Sequence, residues 1–266
     1  MENKTALKVY WITGASSGIG EALAMQLAKP NNALILSGRN EQALEKVRQA
    51  CISHTSHVVV LPFDMLDLSS FPRLVEQAIS FFGQVDVLVN NAGTSQRSLA
   101  METSEAVERK LMELDYFAPV ALSKALVPHF ISRKSGHLVV VSSIAGKFGF
   151  TLRSTYAAAK HALLGYFEAL RLELNTIPIY VTVICPGRVN TNISFSAVKS
   201  DGSPHGVMDD GQRNGVSAEK CARAIDKAIQ RKTPEILVGK AELIPVFLRR
   251  YCPPLFYFLI KRVKAT

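Results

Sequence analysis

Long apolar runs are missing from this 266-residue chain. The longest near the C-terminus, Leu255 to Ile260, falls well short of the ~20 residues that span a bilayer. Cysteine is scarce and scattered. Cys51, Cys185, Cys221 and Cys252 form no Cys-x-x-Cys, which argues against a zinc site and a disulfide framework and fits a reducing, cytoplasmic setting. No metal is expected. The N-terminus has no h-region and no cleavage site; MENKTALKVYWIT runs straight into a strand, so a signal peptide is not expected. There is no low-complexity segment, no repeat of fixed period and no linker-like cluster of Gly and Pro. Acidic residues are outnumbered, 22 against 31 Lys and Arg, leaving a net charge of +9. That surplus suits a nucleic acid, an anionic membrane or a phosphorylated ligand. The basic residues are spread rather than clustered with aromatics, which argues against nucleic acid. The last segment, with Arg249, Arg250, Lys261, Arg262 and Lys264, is the exception.

What is present is a core-forming composition, 48% hydrophobic and 20% charged, enough for one large α/β domain over residues 1–266. Strand-like runs (LKVYWIT, ALILSGRN, HVVVLPFD, VDVLVNNAG, HLVVVSS, YVTVICPGRVNTNI, EILVG) alternate with helix-like ones. The fourth, VDVLVNNAG, is uniformly apolar in its strand part, as a parallel strand buried on both faces is. The alternation predicts a Rossmann-like, doubly wound parallel sheet with helices on both faces and a ligand across the carboxyl ends of the strands. Ser69 or Ser70 is expected to cap the helix that follows the third strand, and Pro119 to bend the long helix after the fourth. The polar stretch 194–216 reads as a mobile loop over a substrate.

Two stretches carry chemistry. Between the first strand and its helix lies TGASSGIG, residues 13–20. Gly14 permits the tight turn, and Gly18 and Gly20 allow close approach at a helix N-terminus, where unpaired N–H groups favour phosphate. The spacing Gly-x-x-x-Gly-x-Gly differs from the usual dinucleotide fingerprint, and such a run can also be a plain strand-to-helix connection. At the end of the second strand stand Gly38 and Arg39, with no carboxylate before Glu41. An Arg there accommodates a 2′-phosphate, so it argues for NADP over NAD; its alternative is a solvated loop charge. Asp64 and Met65, ending the third strand, are placed to touch an adenine edge, or Asp64 caps a turn.

The second stretch runs from Ser142 to Lys160. Tyr156 and Lys160 stand four apart, on one face of a helix. An ammonium beside a phenol favours the phenolate, so Tyr156 can exchange a proton with a carbonyl or alcohol oxygen. Ser143, thirteen residues upstream at the strand end, can hold the same oxygen. An amphipathic helix with one Tyr and one Lys is the plain alternative, and a second Tyr-x-x-x-Lys, Tyr257 to Lys261, lacks the upstream Ser.

Together TGASSGIG, Asn90-Asn91-Ala92-Gly93, Ser143, YAAAK (156–160) and PGRVNT (186–191) resemble the short-chain dehydrogenase/reductase family in order and spacing, over nearly the whole chain. The resemblance implies an NADP(H)-dependent oxidoreductase acting on CH-OH/C=O groups. Tyr156 would be the acid/base, Lys160 its partner and a ribose ligand, and Ser143 the group that orients the carbonyl. The cofactor would be bordered by Gly14, Ser16, Ser17, Gly18, Ile19 and Gly20, by Asn91, Ala92 and Gly93, and by Pro186, Gly187, Val189 and Thr191. A homodimer or homotetramer is implied, as is a lipid-like or steroid-like substrate. One departure stands out: Asp115 occupies the place where the family usually has an Asn that holds a water linked to the catalytic Lys. It motivates the alternative of a catalytically impaired, dinucleotide-binding regulatory protein. The apolar and basic tail, residues 242–266, has three resting places: over a neighbouring subunit or its own cleft, on a membrane periphery, or disordered. Pro245, Pro253 and Pro254 argue against one long helix.

Overall fold

The computed structural model describes residues 7–262; residues 1–6 and 263–266, with Lys264 among them, lie outside it. Seven strands form one parallel sheet in the order β3-β2-β1-β4-β5-β6-β9. They are β1 (Lys8–Thr13), β2 (Asn32–Ser37), β3 (Val58–Val60), β4 (Val87–Asn90), β5 (Gly136–Val141), β6 (Ile179–Pro186) and β9 (Glu235–Val238). A short parallel pair, β7 (Val189–Asn190) and β8 (Val216–Ser217), lies beyond the strand ends.

The strands β2, β4 and β5 bury both faces, since successive side chains alternate between them. Val9 and Trp11 of β1 join one core, with Phe71, Leu74 and Ala78 of α3 (Phe71–Phe82), Leu122, Leu126 and Phe130 of α5 (Ala118–Arg133), and Leu163 and Phe167 of α6 (Ser154–Glu173). Tyr10 and Ile12 join the other. There they meet Leu23 and Leu27 of α1 (Gly18–Leu27), Leu44 and Val47 of α2 (Glu41–Ile52), and Ile225 and Ile229 of α9 (Ala218–Arg231). Asp226 ties α9 to α1 by accepting from Lys29 at 2.8 Å and Gln26 at 2.9 Å. Strand order reverses between β1 and β4, which opens a crevice at their carboxyl ends.

Three expectations need correction. Ser70 precedes α3 without capping it by its side chain; its hydroxyl donates to the Asp67 carbonyl. The long helix divides into α4 (Glu105–Met112), a π-helical turn Glu113–Phe117, and α5. The irregularity thus lies before Pro119, which sits in the first turn of α5. Pro119 has no N–H to give the Asp115 carbonyl four residues back, and the preceding turn widens, with the Ala118 N–H reaching Glu113. Finally, 194–216 is not a featureless loop. It holds α7 (Ile193–Ser196), α8 (Asp210–Arg213) and bridges from Val198 to Gln96 and Pro204. The tail forms α10 (Ile244–Tyr251) and α11 (Pro253–Ile260). Pro245, Pro253 and Pro254 lie in their first turns, where a missing N–H costs nothing.

Candidate active site

A cleft of about 560 Å³ lies across the carboxyl ends of the strands. One end is the turn after β1. Gly14 (φ +64°) and Gly18 (φ +60°) hold left-handed backbone there, open to glycine without strain. Ser16, Ser17, Gly18 and Ile19 line the cleft at the head of α1. Gly20 does not line it; a Cβ there would sit 2.2 Å from the Gly14 carbonyl oxygen, so Gly20 serves helix-to-turn packing. Asn91 locks the same turn, its amide donating to the carbonyls of Thr13 at 3.0 Å and Gly14 at 3.2 Å. Thr13 Oγ1 accepts from the N–H groups of Asn91 and Ala92.

Gly38 and Arg39 border this end of the cleft, with Arg39 exposed. Ser37 is turned away, its hydroxyl accepting from the Trp11 indole at 2.9 Å. Asp64 and Met65 also line the cleft, but Asp64 Oδ1 accepts from the Leu66 N–H at 3.0 Å. Asp64 thus caps this turn while lining the cleft, and Met65 is buried in the core.

The other end gathers Ser143, Tyr156 and Lys160. Ser143 follows β5, its hydroxyl accepting from the Ala145 N–H and facing the Pro186 carbonyl at 3.4 Å. Tyr156 and Lys160 share one face of α6, with Lys160 Nζ 5.6 Å from the Tyr156 ring centre. Both are buried. The second pair differs: Tyr257 is 59% exposed on α11. Lys160 Nζ donates to the Val141 carbonyl at 3.3 Å and lies 3.3 Å from Asp115 Oδ1. Asp115 is fully buried; Oδ1 also accepts from the Thr94 N–H at 3.1 Å, while Oδ2 has no hydrogen-bond partner among the described residues. Burial pushes the Asp115 carboxyl up, against the pull of Lys160. Burial opposes the Lys160 ammonium, yet Asp115 and Tyr156 outweigh it and hold the ammonium above its ordinary value. Gly93 is what admits Asp115: a Cβ there would lie 2.4 Å from Oδ1.

Pro186, Gly187, Val189 and Thr191 close the near wall. Thr191 packs over Gly18, where a Cβ would meet its methyl at 3.1 Å, so this loop and the phosphate-type turn face each other.

Sequence reasoning missed two groups. Gln96, fully buried, accepts the N–H groups of Thr155 at 3.0 Å and Tyr156 at 3.2 Å. It thereby caps α6, whose own N-cap residue Arg153 makes no capping bond. The helix bearing Tyr156 and Lys160 is thus set by a residue 60 positions earlier. The second group centres on Asp209, which accepts from Arg97 Nε at 2.9 Å and from its Nη2, with Arg153 Nη2 at 3.4 Å and Ser194 at 3.2 Å. It fastens 194–216 to the loop after β4. Burial and the neighbouring Arg97 push the Arg153 guanidinium down to about 10. Only the position of Arg153, three residues before Tyr156, offered a signal. Phe148, Phe150, Ile193, Phe195 and Pro245 add an apolar wall to the cleft, beside polar residues such as Arg188 and Gln212.

The short chain dehydrogenase family matches residues 8–201. The chain is 38% identical to dehydrogenase/reductase SDR family member 7B of Xenopus tropicalis, over 96% of this chain and 85% of that one. It is 38% identical to dehydrogenase/reductase SDR family member 7 of Homo sapiens, over 96% and 77%. A short-chain dehydrogenase structure from Streptomyces avermitilis superposes with a TM-score of 0.82 at 29% identity, covering 96% of each chain. A short-chain dehydrogenase/reductase from Burkholderia phymatum, solved in complex with NAD, shares the fold at a TM-score of 0.83 and 24% identity, covering 95% of this chain and 96% of that one. With the parallel sheet, the glycine turn, and Ser143 in one cleft with the buried Tyr156 and Lys160, the chain belongs to the short-chain dehydrogenase/reductase family of oxidoreductases.

Proposed function

We propose that this protein is an NADP(H)-dependent oxidoreductase that transfers a hydride between the nicotinamide and a carbonyl/alcohol pair on an apolar molecule. The observation that carries the reading is the meeting of Ser143, Tyr156 and Lys160 at one end of a cleft whose other end is the Gly14–Gly18 turn at the head of α1. The residues fit a dinucleotide. Left-handed glycines and a helix N-terminus suit its phosphates. Arg39, at the exposed rim with no carboxylate beside it, suits a 2′-phosphate through charge-assisted hydrogen bonds. Asn91 to Gly93 would border the ribose, Met65 the adenine, and Val189 and Thr191 the nicotinamide end. When bound, the cofactor supplies or accepts the hydride.

The chain's own residues do the remainder. Tyr156 exchanges a proton with the substrate oxygen, Ser143 orients that oxygen, and Lys160, held protonated by Asp115, sets the charge around Tyr156. Phe148, Phe150, Ile193 and Phe195 exclude water and favour an apolar substrate body. A homodimer or homotetramer in the cytoplasm is the setting proposed.

The test is NADPH oxidation by the full chain over a panel of apolar ketones and aldehydes. Turnover of at least one, dependent on Tyr156, is expected. Turnover that survives Tyr156→Phe, or failure to bind NADPH, contradicts the reading. The buried carboxylate of Asp115 beside Lys160 favours a second reading, a dinucleotide-binding protein without turnover. NADPH binding with no oxidation across the panel would decide for it.

A further inference from the structure

One stretch of surface is unlike the rest. From Leu243 to Arg262 the chain carries Arg249, Arg250, Lys261 and Arg262 and not one acidic residue. It also has no Ser, Thr, Asn, Gln, His or Gly. Its side chains are apolar or aromatic, cationic, or a single Cys.

This stretch is anchored from one side. Phe256 is 4% exposed and packs edge-on against Phe148, ring centres 5.5 Å apart, with Ile144 beside it. Leu243, Val246, Leu248 and Ile260 are partly buried against the same cluster. Arg249 reaches back to the Lys147 carbonyl. The other side is open. Ile244, Phe247 and Tyr251, at helical spacing on α10, are 56%, 54% and 75% exposed. Leu255, Phe258 and Leu259, at helical spacing on α11, are exposed as well. The cations stand beside these stripes: the Arg262 guanidinium lies 4.6 Å from the Phe258 ring centre and that of Arg250 lies 5.9 Å from Tyr251's. Large apolar side chains exposed together mark an interaction surface.

The composition selects the occupant. The Arg, Lys and Tyr side chains of this stretch are hydrogen-bond donors, and with no acidic side chain among them they call for a partner dense in anionic acceptors. A two-fold pairing of the same patch would offer its cations no acidic side chain to meet. An anionic lipid surface takes both components at once, with headgroups at the cations and acyl chains at the apolar stripes. We propose that α10 and α11 seat the protein on an anionic bilayer surface. Glu242, just before α10, and Pro245 in its first turn line the cleft, so seating brings the cleft rim to the lipid. Among the described residues no helix is long and apolar enough to cross a membrane, and lying on the surface requires none. The proposal rests on the functional reading only for why an apolar substrate would be met there.

The test uses the full chain and reads binding, not turnover, so its failure is separable from failure of the reductase reading. Co-sedimentation is measured with vesicles of pure phosphatidylcholine and with vesicles containing phosphatidylserine. Binding to the phosphatidylserine vesicles, weakened by salt, is expected. Each basic residue near such a surface contributes roughly fivefold, so Arg250→Ala with Lys261→Ala and Arg262→Ala should weaken binding on the order of a hundredfold. A second variant, Phe258→Trp, places a reporter on an exposed position; its emission should shift to the blue on the anionic vesicles and be quenched by brominated lipid. Melting temperature and NADPH affinity, measured in parallel, report that each variant is folded. Absence of binding to the anionic vesicles overturns the proposal, as does binding that the triple variant leaves unchanged. Self-association abolished by Phe258→Ser, without vesicle binding, would assign the face to a second copy instead.

Discussion

Lys160 Nζ and Asp115 Oδ1 lie 3.3 Å apart, both side chains withdrawn from solvent. The carboxylate comes from the π-helical turn before Pro119, and the ammonium from α6. Each keeps one main-chain partner, Thr94 N–H for Asp115 and the Val141 carbonyl for Lys160. Asp115 Oδ2 has no hydrogen-bond partner among the described residues. A carboxylate in that position offsets the Lys160 charge next to Tyr156, which an amide would leave uncompensated.

The pair gives a pH prediction. Burial raises the Asp115 carboxyl above 3.8, so the fold binds this proton more readily than the unfolded chain does. That contribution to stability is fully present below about pH 3.8 and is lost as pH rises through the raised value. Lys160, held above 10.5, stays protonated across this window and adds no slope. The stability of the wild type relative to Asp115→Asn should therefore fall as pH rises above about 3.8 and through the raised value. Melting temperatures of the two proteins across that range check it; a difference that stays flat or grows in favour of the wild type contradicts it.

Gln96 caps the helix that carries the reacting groups, and removing the cap should act twice. Gln96→Ala leaves the N–H groups of Thr155 and Tyr156 without their acceptor, at a cost of about 1–2 kcal/mol. It also frees the first turn of α6 to move Tyr156. Turnover should fall more than the lost stability explains, while Gln96→Glu, which keeps an acceptor, retains more of it. Equal turnover in the two variants would mean that the cap does not position Tyr156.

The Arg97–Asp209 pair is the fastening of 194–216. Asp209→Ala leaves Arg97 buried without its carboxylate, a change that typically costs about 3–5 kcal/mol. Burial works against the Asp209 carboxylate, but Arg97 and Arg153 hold it below 3.8, so its stabilising share is present above 3.8 and lost as pH falls through the lowered value. Proteolysis within 194–216 should speed up in the variant, and KM should rise more than kcat falls. Unchanged proteolysis would show that other contacts carry the loop.

Cofactor choice is tested at the rim of β2. Arg39→Ala, or Gly38→Asp, should weaken NADPH far more than NADH, because each removes the match to the 2′-phosphate. Binding titrations with both cofactors measure it. An unmodified protein that prefers NADH would contradict the assignment.

Much of this was legible in the sequence because it is local. Seven apolar runs punctuated by helix-like segments dictate a parallel sheet, and its carboxyl edge collects TGASSGIG, NNAG and PGRVNT without further information. Ser143, Tyr156 and Lys160 lie close in sequence, and one strand end and one helix suffice to bring them together. What stayed hidden depends on pairs far apart in the chain. Gln96 reads as an ordinary polar loop residue until the loop after β4 meets the head of α6. Arg97 and Asp209 are separated by 112 positions, and nothing in either neighbourhood signals the other. Gly20 belongs to the turn its sequence indicates, but the close approach it permits is to the Gly14 carbonyl. Asp64 both lines the cleft and accepts from the Leu66 N–H, a double placement that its sequence neighbours do not reveal.

The central claim is that Tyr156, buried beside Lys160 in the cleft, moves the proton of a carbonyl/alcohol reaction. Tyr156→Phe removes the hydroxyl and keeps the ring. The direct measurement is the single-turnover rate of NADPH oxidation, wild type against Tyr156→Phe, with NADPH affinity measured on the same preparations. A loss of at least roughly 10²–10⁴-fold in rate with NADPH affinity little changed is the predicted result; a variant that oxidises NADPH at nearly the wild-type rate would contradict the account.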